Sequence, residues 1–154
     1  MPDARTLGHR RVTLLTNARK RCRPRLANDP FFLVGDFRNL LAWKEAAALV
    51  VLSRDAIHRL PSNERYALGD QWRRAAHSVA LNIAEGASRR GPREFRRYLD
   101  IARASLHELE AILELVTLLG YLAEADLVAV KARREHCAKL VYGLLKKMSA
   151  SGAR

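Results

Sequence analysis

Five arginines within nine residues, Arg89, Arg90, Arg93, Arg96 and Arg97, form a dense block of one chemical group, with only Glu94 between them to offset the charge. Guanidinium groups stay charged and hold phosphate or carboxylate oxygens through paired N–H donors, so such a block suits a polyanion better than proton transfer. The Gly91-Pro92 pair inside it places the block across a helix start, where free backbone N–H groups add partial positive charge. Cations crowded there repel one another and the helix dipole, so a counter-anion is expected, and a nucleic-acid backbone fits. The competing expectation is a solvated face whose arginines pair with acids of a neighbouring helix or subunit. Arg73 is a weaker candidate contact. Lys131, Arg133, Arg134, Lys139, Lys146 and Lys147 extend the basic character toward the C-terminus. Aromatic residues are few, and none interleave with these cations as a stacking platform, so binding should be led by phosphate contacts and weakly sequence-specific.

A second constellation lies just upstream. Gln71, Arg74, Ser78, Asn82 and Glu85 recur at steps of three and four, beside an apolar stripe of Leu68, Trp72, Ala75, Val79 and Ile83. These polar residues are expected to pair with facing groups such as Ser105 and Glu108, as a buried network that fixes helix register. A pocket lined by Asn82 and Glu85 is the alternative, but no nucleophile or metal ligand stands beside them.

Catalytic signatures are lacking. The chain has no Gly-rich phosphate loop, no G-x-S-x-G and no H-E-x-x-H. A carboxylate-bridged metal pair in a bundle requires two Glu-x-x-His motifs, and the nearest match is the single Asp55-x-x-His58. His136 beside Cys137 offers no tetrahedral set. No enzyme activity, cofactor, metal or small-molecule substrate is expected.

The elements that position these residues read as helices throughout. The first is expected over 36–60, with Leu40, Trp43, Ala47, Val50, Ile57 and Leu60 on or near one face, ending at Pro61. Ser62 is a candidate N-cap for a second helix over 63–88. A third, over 92–119, carries Phe95, Leu99, Ala102, Leu106, Leu109, Leu113 and Val116, with Gly120 as its C′ residue. A fourth, over 123–149, shows the heptad Leu127, Val130, Arg134, Cys137, Val141, Leu144 and Met148, whose one charged member marks a candidate oligomer contact. No segment has strand periodicity. The fold class is therefore all-α, an antiparallel up-down-up-down four-helix bundle over 36–149. A disordered basic arm over 1–35 and a disordered tail over 150–154 flank it.

At 154 residues the chain is long enough for one real core. Its net charge of +12 and pI of about 10.6 favour polyanionic partners. Arginine outnumbers lysine 22 to 6, which a GC-rich coding bias explains as readily as selection for phosphate contacts. Half of the excess charge falls in residues 1–35, where eight basic residues face two acids. Two distant cysteines, Cys22 and Cys137, fit a reduced cytoplasmic protein. Seven residues, 46–52, make the longest purely apolar run, against about 20 for a membrane span.

Taken in order, several segments resemble the bacterial 23S rRNA intervening-sequence proteins. They are Leu41-Ala-Trp43-Lys-Glu-Ala, Leu60-Pro-Ser-Asn-Glu64, Gln71-x-Arg-Arg-Ala-Ala-x-Ser-Val-x-x-Asn-Ile-Ala-Glu-Gly86, Phe95-x-x-Tyr-Leu-x-Ile-Ala102 and Ser105-x-x-Glu108-Leu. The resemblance implies a four-helix bundle that assembles as a homopentamer, with no catalytic residues to carry over. It extends to the accessory proteins of diversity-generating retroelements, which bind nucleic acid and a reverse transcriptase. The expected function is a non-enzymatic oligomeric bundle that binds RNA or DNA, RNA first, through backbone phosphates. The alternative is a protein-interaction or scaffold module, such as a reverse-transcriptase accessory protein, whose arginines meet acidic partner residues.

Overall fold

The computed structural model describes residues 36–151. The arm expected over 1–35, with Cys22, and the last residues 152–154 lie outside the described residues. A 3-10 turn, Phe37–Asn39, leads into four helices: α1, Leu41–Ile57; α2, Leu68–Ser88; α3, Pro92–Leu118; and α4, Glu124–Ser151. Each packs on the next, and α1 closes the ring against α4, while the diagonal pairs make at most marginal contact. With links as short as 89–91 and 119–123, neighbours reverse direction, giving an all-α up-down-up-down bundle. No strand occurs among the described residues.

The α3 helix is built from the expected stripe. Phe95, Leu99, Ala102, Leu106, Leu109, Leu113 and Val116 are all buried. Pro92 occupies the first turn, where its missing N–H costs nothing. At the other end Gly120 takes a φ of +68°, and paired backbone bonds, Tyr121 to Val116 and Gly120 to Thr117, both 3.0 Å, close the helix as a Schellman motif.

The α1 helix departs from the expectation in two ways. The chain makes a separate 3-10 turn, capped by the Asp36 side chain on the Arg38 N–H (3.0 Å), before α1 begins, and α1 ends at Ile57. Its innermost stripe is Ala42, Ala46, Leu49, Ser53 and Ala56, with Ile57 and Leu60 also buried. Trp43, Ala47 and Val50, expected on the core face, are only half-buried on its flank. Alanines let α1 approach the bundle closely, and that displaces the larger side chains to the edges.

Ser62 does not cap α2. The helix starts at Leu68 behind Ala67, and residues 62–67 form turns held by Glu64 and Arg65 N–H bonds to the Pro61 carbonyl. Leu60, 1% exposed, must reach the core, and the Arg65 Nε bond to its carbonyl (2.9 Å) pins it there. The chain becomes helical only past that anchor. On α4, Leu145 is buried while Leu144 of the expected heptad is half-buried. A straight helix drifts against a strict seven-residue repeat, so the core face passes to the next position. Cys137 packs in the core, 3.8 Å from the Ala42 carbonyl, and burial pushes its thiol up to about 12, which leaves it unreactive.

Candidate nucleic-acid interface

The arginine block is assembled where α2 ends and α3 begins, and a glycine sets how closely they meet. A Cβ on Gly86 would stand 2.7 Å from the Tyr98 Cβ and 2.8 Å from the Phe95 Cδ2. Only a residue without a side chain lets the first turns of α3 lie so close to the last turn of α2. The link between them, Arg89-Arg90-Gly91, reverses the chain with Gly91 at φ +94°. Gly91 offers no side-chain acceptor as N-cap, so the first free N–H groups of α3 open onto the surface beside Arg90 and Arg93.

The block is less bare than its sequence implies. Glu94 is not the only offset, because Glu85 and Asp100 flank the block, each one helical turn from an arginine. Arg89 bonds Glu85, Arg96 lies 3.9 Å from Asp100, and Arg97 lies 4.0 Å from Glu94. Arg103 also pairs with Asp100 (3.3 Å). Among the described residues Arg90 and Arg93 have no acid partner. Arg93, Arg96 and Arg97 line a shallow groove of about 510 Å³ with Asp100, Ile101 and Ala104. Arg73 is not part of this surface. It pairs with Asp70 near the start of α2, sixteen residues before Arg89, or about 24 Å along the helix at 1.5 Å per residue.

Tyr98 organises the block, a role its sequence position did not announce. Its hydroxyl donates to Glu85 Oε1 (3.0 Å), and the Arg89 and Arg97 guanidiniums lie 5.1 and 6.0 Å from its ring centre. Cation–π contact holds two arginines over one ring face region and limits their freedom. The Arg89 bond, then the Tyr98 hydroxyl, hold the Glu85 carboxyl below its ordinary value. The pairs Glu85–Arg89 and Arg96–Asp100 have i,i+4 spacing and were legible as sequence. The Tyr98–Glu85 bond depends on α3 folding back on α2.

The polar stripe runs along the same seam. The Ser78 and Ser105 hydroxyls bond each other (2.8 Å), and Asn82 Nδ2 donates to the Ser78 carbonyl (2.8 Å) and hydroxyl (3.1 Å). Gln71 bonds Glu108 across the seam, and Arg74 bonds Gln71. Ser105 is buried, Gln71, Ser78 and Asn82 are half-buried, and Arg74, Glu85 and Glu108 are exposed. The network therefore edges the core rather than lying within it.

Elsewhere Lys131, Arg133 and Arg134 of α4 are engaged within the chain. Arg134 bonds Glu110 of α3 (2.9 Å) and is mostly covered, so its charge in the core stripe is answered by its own neighbour. Arg133 and His136 converge on Glu45 of α1, the latter at 3.3 Å. Lys131 bridges Glu114 (3.1 Å) and Glu124 (2.9 Å). Asp55 is taken up by Arg54 (2.9 Å). No three of His, Cys, Asp and Glu converge as a metal cluster among the described residues.

A family model described as 23S rRNA-intervening sequence protein matches residues 38–143. The chain belongs to that family. The match runs from the 3-10 turn into the second half of α4, so it takes in both the α2–α3 seam and the arginine block. The 23S rRNA-intervening sequence fold is also found in a crystal structure from Bacteroides thetaiotaomicron, of a protein with unknown function from the S23 ribosomal protein family. It superposes with a TM-score of 0.64 at 21% identity, over 69% of this chain and 99% of that one. That likeness concerns the fold alone. A comparison with curated proteins gives no match. No helix among the described residues is long and apolar enough to cross a membrane.

Proposed function

We propose that the chain is a non-enzymatic, cytoplasmic, oligomeric bundle that binds RNA through backbone phosphates at the α2–α3 turn. The observation that carries this reading is the pair Arg90 and Arg93, exposed and without acid partners, beside the uncapped start of α3. Five arginines there face three carboxylates, Glu85, Glu94 and Asp100. Exposed ion pairs contribute only about 0–1 kcal/mol, so a phosphate displaces them at little cost. The name of the family, which refers to 23S rRNA, favours RNA over DNA as the first probe. Affinity for a mixed-sequence single-stranded RNA, followed by fluorescence anisotropy, should fall steeply with salt. Arg93→Ala should reduce the log–log slope by about 0.7, the value for one lost phosphate contact on a single strand. No binding at low salt, or an unchanged slope in the variant, would sink the reading.

A second reading rests on Ile101. It is an exposed apolar side chain lining the arginine groove, as a protein interface requires and a phosphate contact does not. The partner is then an acidic protein surface, as for a reverse-transcriptase accessory protein, or a second copy of this chain. A groove between α3 and α4 holds Glu110, Glu114, Glu124 and Glu135 against Lys131 and Arg134, and its remaining acidic excess complements the arginines in a head-to-tail ring such as a homopentamer. Under this reading Arg93→Glu changes the mass measured by light scattering and leaves RNA affinity untouched.

A further inference from the structure

A different concavity, of about 230 Å³, lies between α1 and α2. Val50, Val51, Ile57 and Ala76 give it apolar walls, and Ser53 lines it from α1. Ser53 is 2% exposed, and its hydroxyl has no partner among the described residues. That sets it apart from other helical hydroxyls of this bundle. Ser105, Thr117 and Ser149 each donate to the carbonyl four residues back, at 3.1, 3.0 and 2.9 Å. A buried hydroxyl left unpaired carries a desolvation penalty that a ligand oxygen removes.

The rim supplies further unused donors. Arg54 spends Nε and Nη2 on Asp55, which leaves Nη1 free of that pair. Arg73 spends Nη1 on Asp70, which leaves Nε and Nη2. Asp55 and Asp70 do not line the groove, so its mouth presents the Arg54 and Arg73 N–H groups, with the exposed His77 ring beside them. A hydroxyl, two sets of guanidinium donors and apolar walls together select a ligand with one anionic acceptor end and an apolar body. At about 30 Å³ per water-sized unit the groove holds about eight non-hydrogen atoms.

We propose that this groove binds a small monocarboxylate with a branched aliphatic body. The carboxylate accepts from the Ser53 hydroxyl and the free arginine donors, and the body lies on Val50, Val51, Ile57 and Ala76. Such a partner is not legible in the sequence, because the parts of its site come from two helices and none forms a motif.

The test uses the full ¹⁵N-labelled chain titrated with 4-methylpentanoate, which has the right size and charge. Two controls separate the contributions: 4-methylpentanamide keeps the body without the charge, and acetate keeps the charge without the body. Saturable amide shifts confined to residues 50–57 and 73–77 are expected, with affinity about tenfold lower for either control, the loss of roughly one good charged contact or of the apolar body. Ser53→Ala should raise the melting temperature of the free protein by removing the unpaired hydroxyl, yet abolish most of the ligand-induced rise. Val51→Glu, at the exposed edge, should leave the fold intact and repel the carboxylate. Shifts that never saturate overturn the proposal, as does an amide that binds as tightly as the acid. So does an unchanged affinity in both variants.

Discussion

The α2–α3 seam and the α1–α4 seam close the same ring of helices with different chemistry. Along α2–α3, side-chain bonds recur at successive levels: Gln71 to Glu108, Ser105 to Ser78, and Tyr98 to Glu85. Gly86 then brings the helices together at the end of the row. Along α1–α4 the contact is mostly alanine and small-residue packing around Ala42, Ala46 and Cys137, with Glu45 against Arg133 and His136 on one side and Arg59, just past α1, on Asp126 (2.8 Å) at the end. Apolar packing fills volume and tolerates small rotations, whereas directional bonds at several levels fix both rotation and register. The arginine block sits on the seam with fixed register, so the spacing of its charges is held rather than averaged.

The largest break in this comparison should come from Gly86→Val. Its side chain has no room against Tyr98 and Phe95, and prying α3 from α2 should cost about 3 kcal/mol, the upper end for overpacking. Urea unfolding should show it, and RNA binding should fall with it if the block needs the close approach. On the other seam, Glu45→Gln should cost about 1 kcal/mol at neutral pH, the upper end for an ion pair partly open to water. Arg133 chiefly, then His136, hold the Glu45 carboxyl below its ordinary 4.5 in the folded chain. A carboxyl lowered on folding stabilises above that value, and the contribution is lost as pH falls through the lower folded pKa. Stability measured downward from just above pH 4.5 should therefore decline less steeply in Glu45→Gln than in the parent.

A double-mutant cycle on Ser78→Ala and Ser105→Ala should give a coupling of about 0.5–1 kcal/mol. A coupling near zero would mean that this bond adds nothing to register, and the contrast between seams would lose its middle rung. The smallest stability effect belongs to Arg90→Gln with Arg93→Gln. Unpaired and exposed, they should change unfolding free energy by less than about 0.5 kcal/mol while weakening RNA binding. A clear loss of stability would show that the block serves the fold.

Much of the bundle was legible from local pattern. The α3 stripe carries large apolar residues at steps of three and four, so its core face stands out from the sequence alone, as do Pro92 at its start and Gly120 at its end. The α1 face did not, because Ala42, Ala46 and Ala56 have little hydropathy contrast. Trp43 and Val50 carry the stronger hydropathy and mark a flank instead. The start of α2 is not legible in the sequence, because the burial of Leu60, not the capping ability of Ser62, decides where the helix begins.

The candidate interface divides along the same line. The arginines, the polar stripe and the i,i+4 acids Glu85 and Asp100 are properties of the sequence, since residues that close along a helix must be neighbours. Which arginines remain unpaired, that Tyr98 holds two of them, that Arg73 belongs to another groove and that Ser53 lacks a partner were decided only by tertiary structure. Periodicity fixes which side of a helix turns inward. The identity of the neighbour it meets depends on how far each helix rotates and how closely it approaches, and those follow from contacts across the whole bundle.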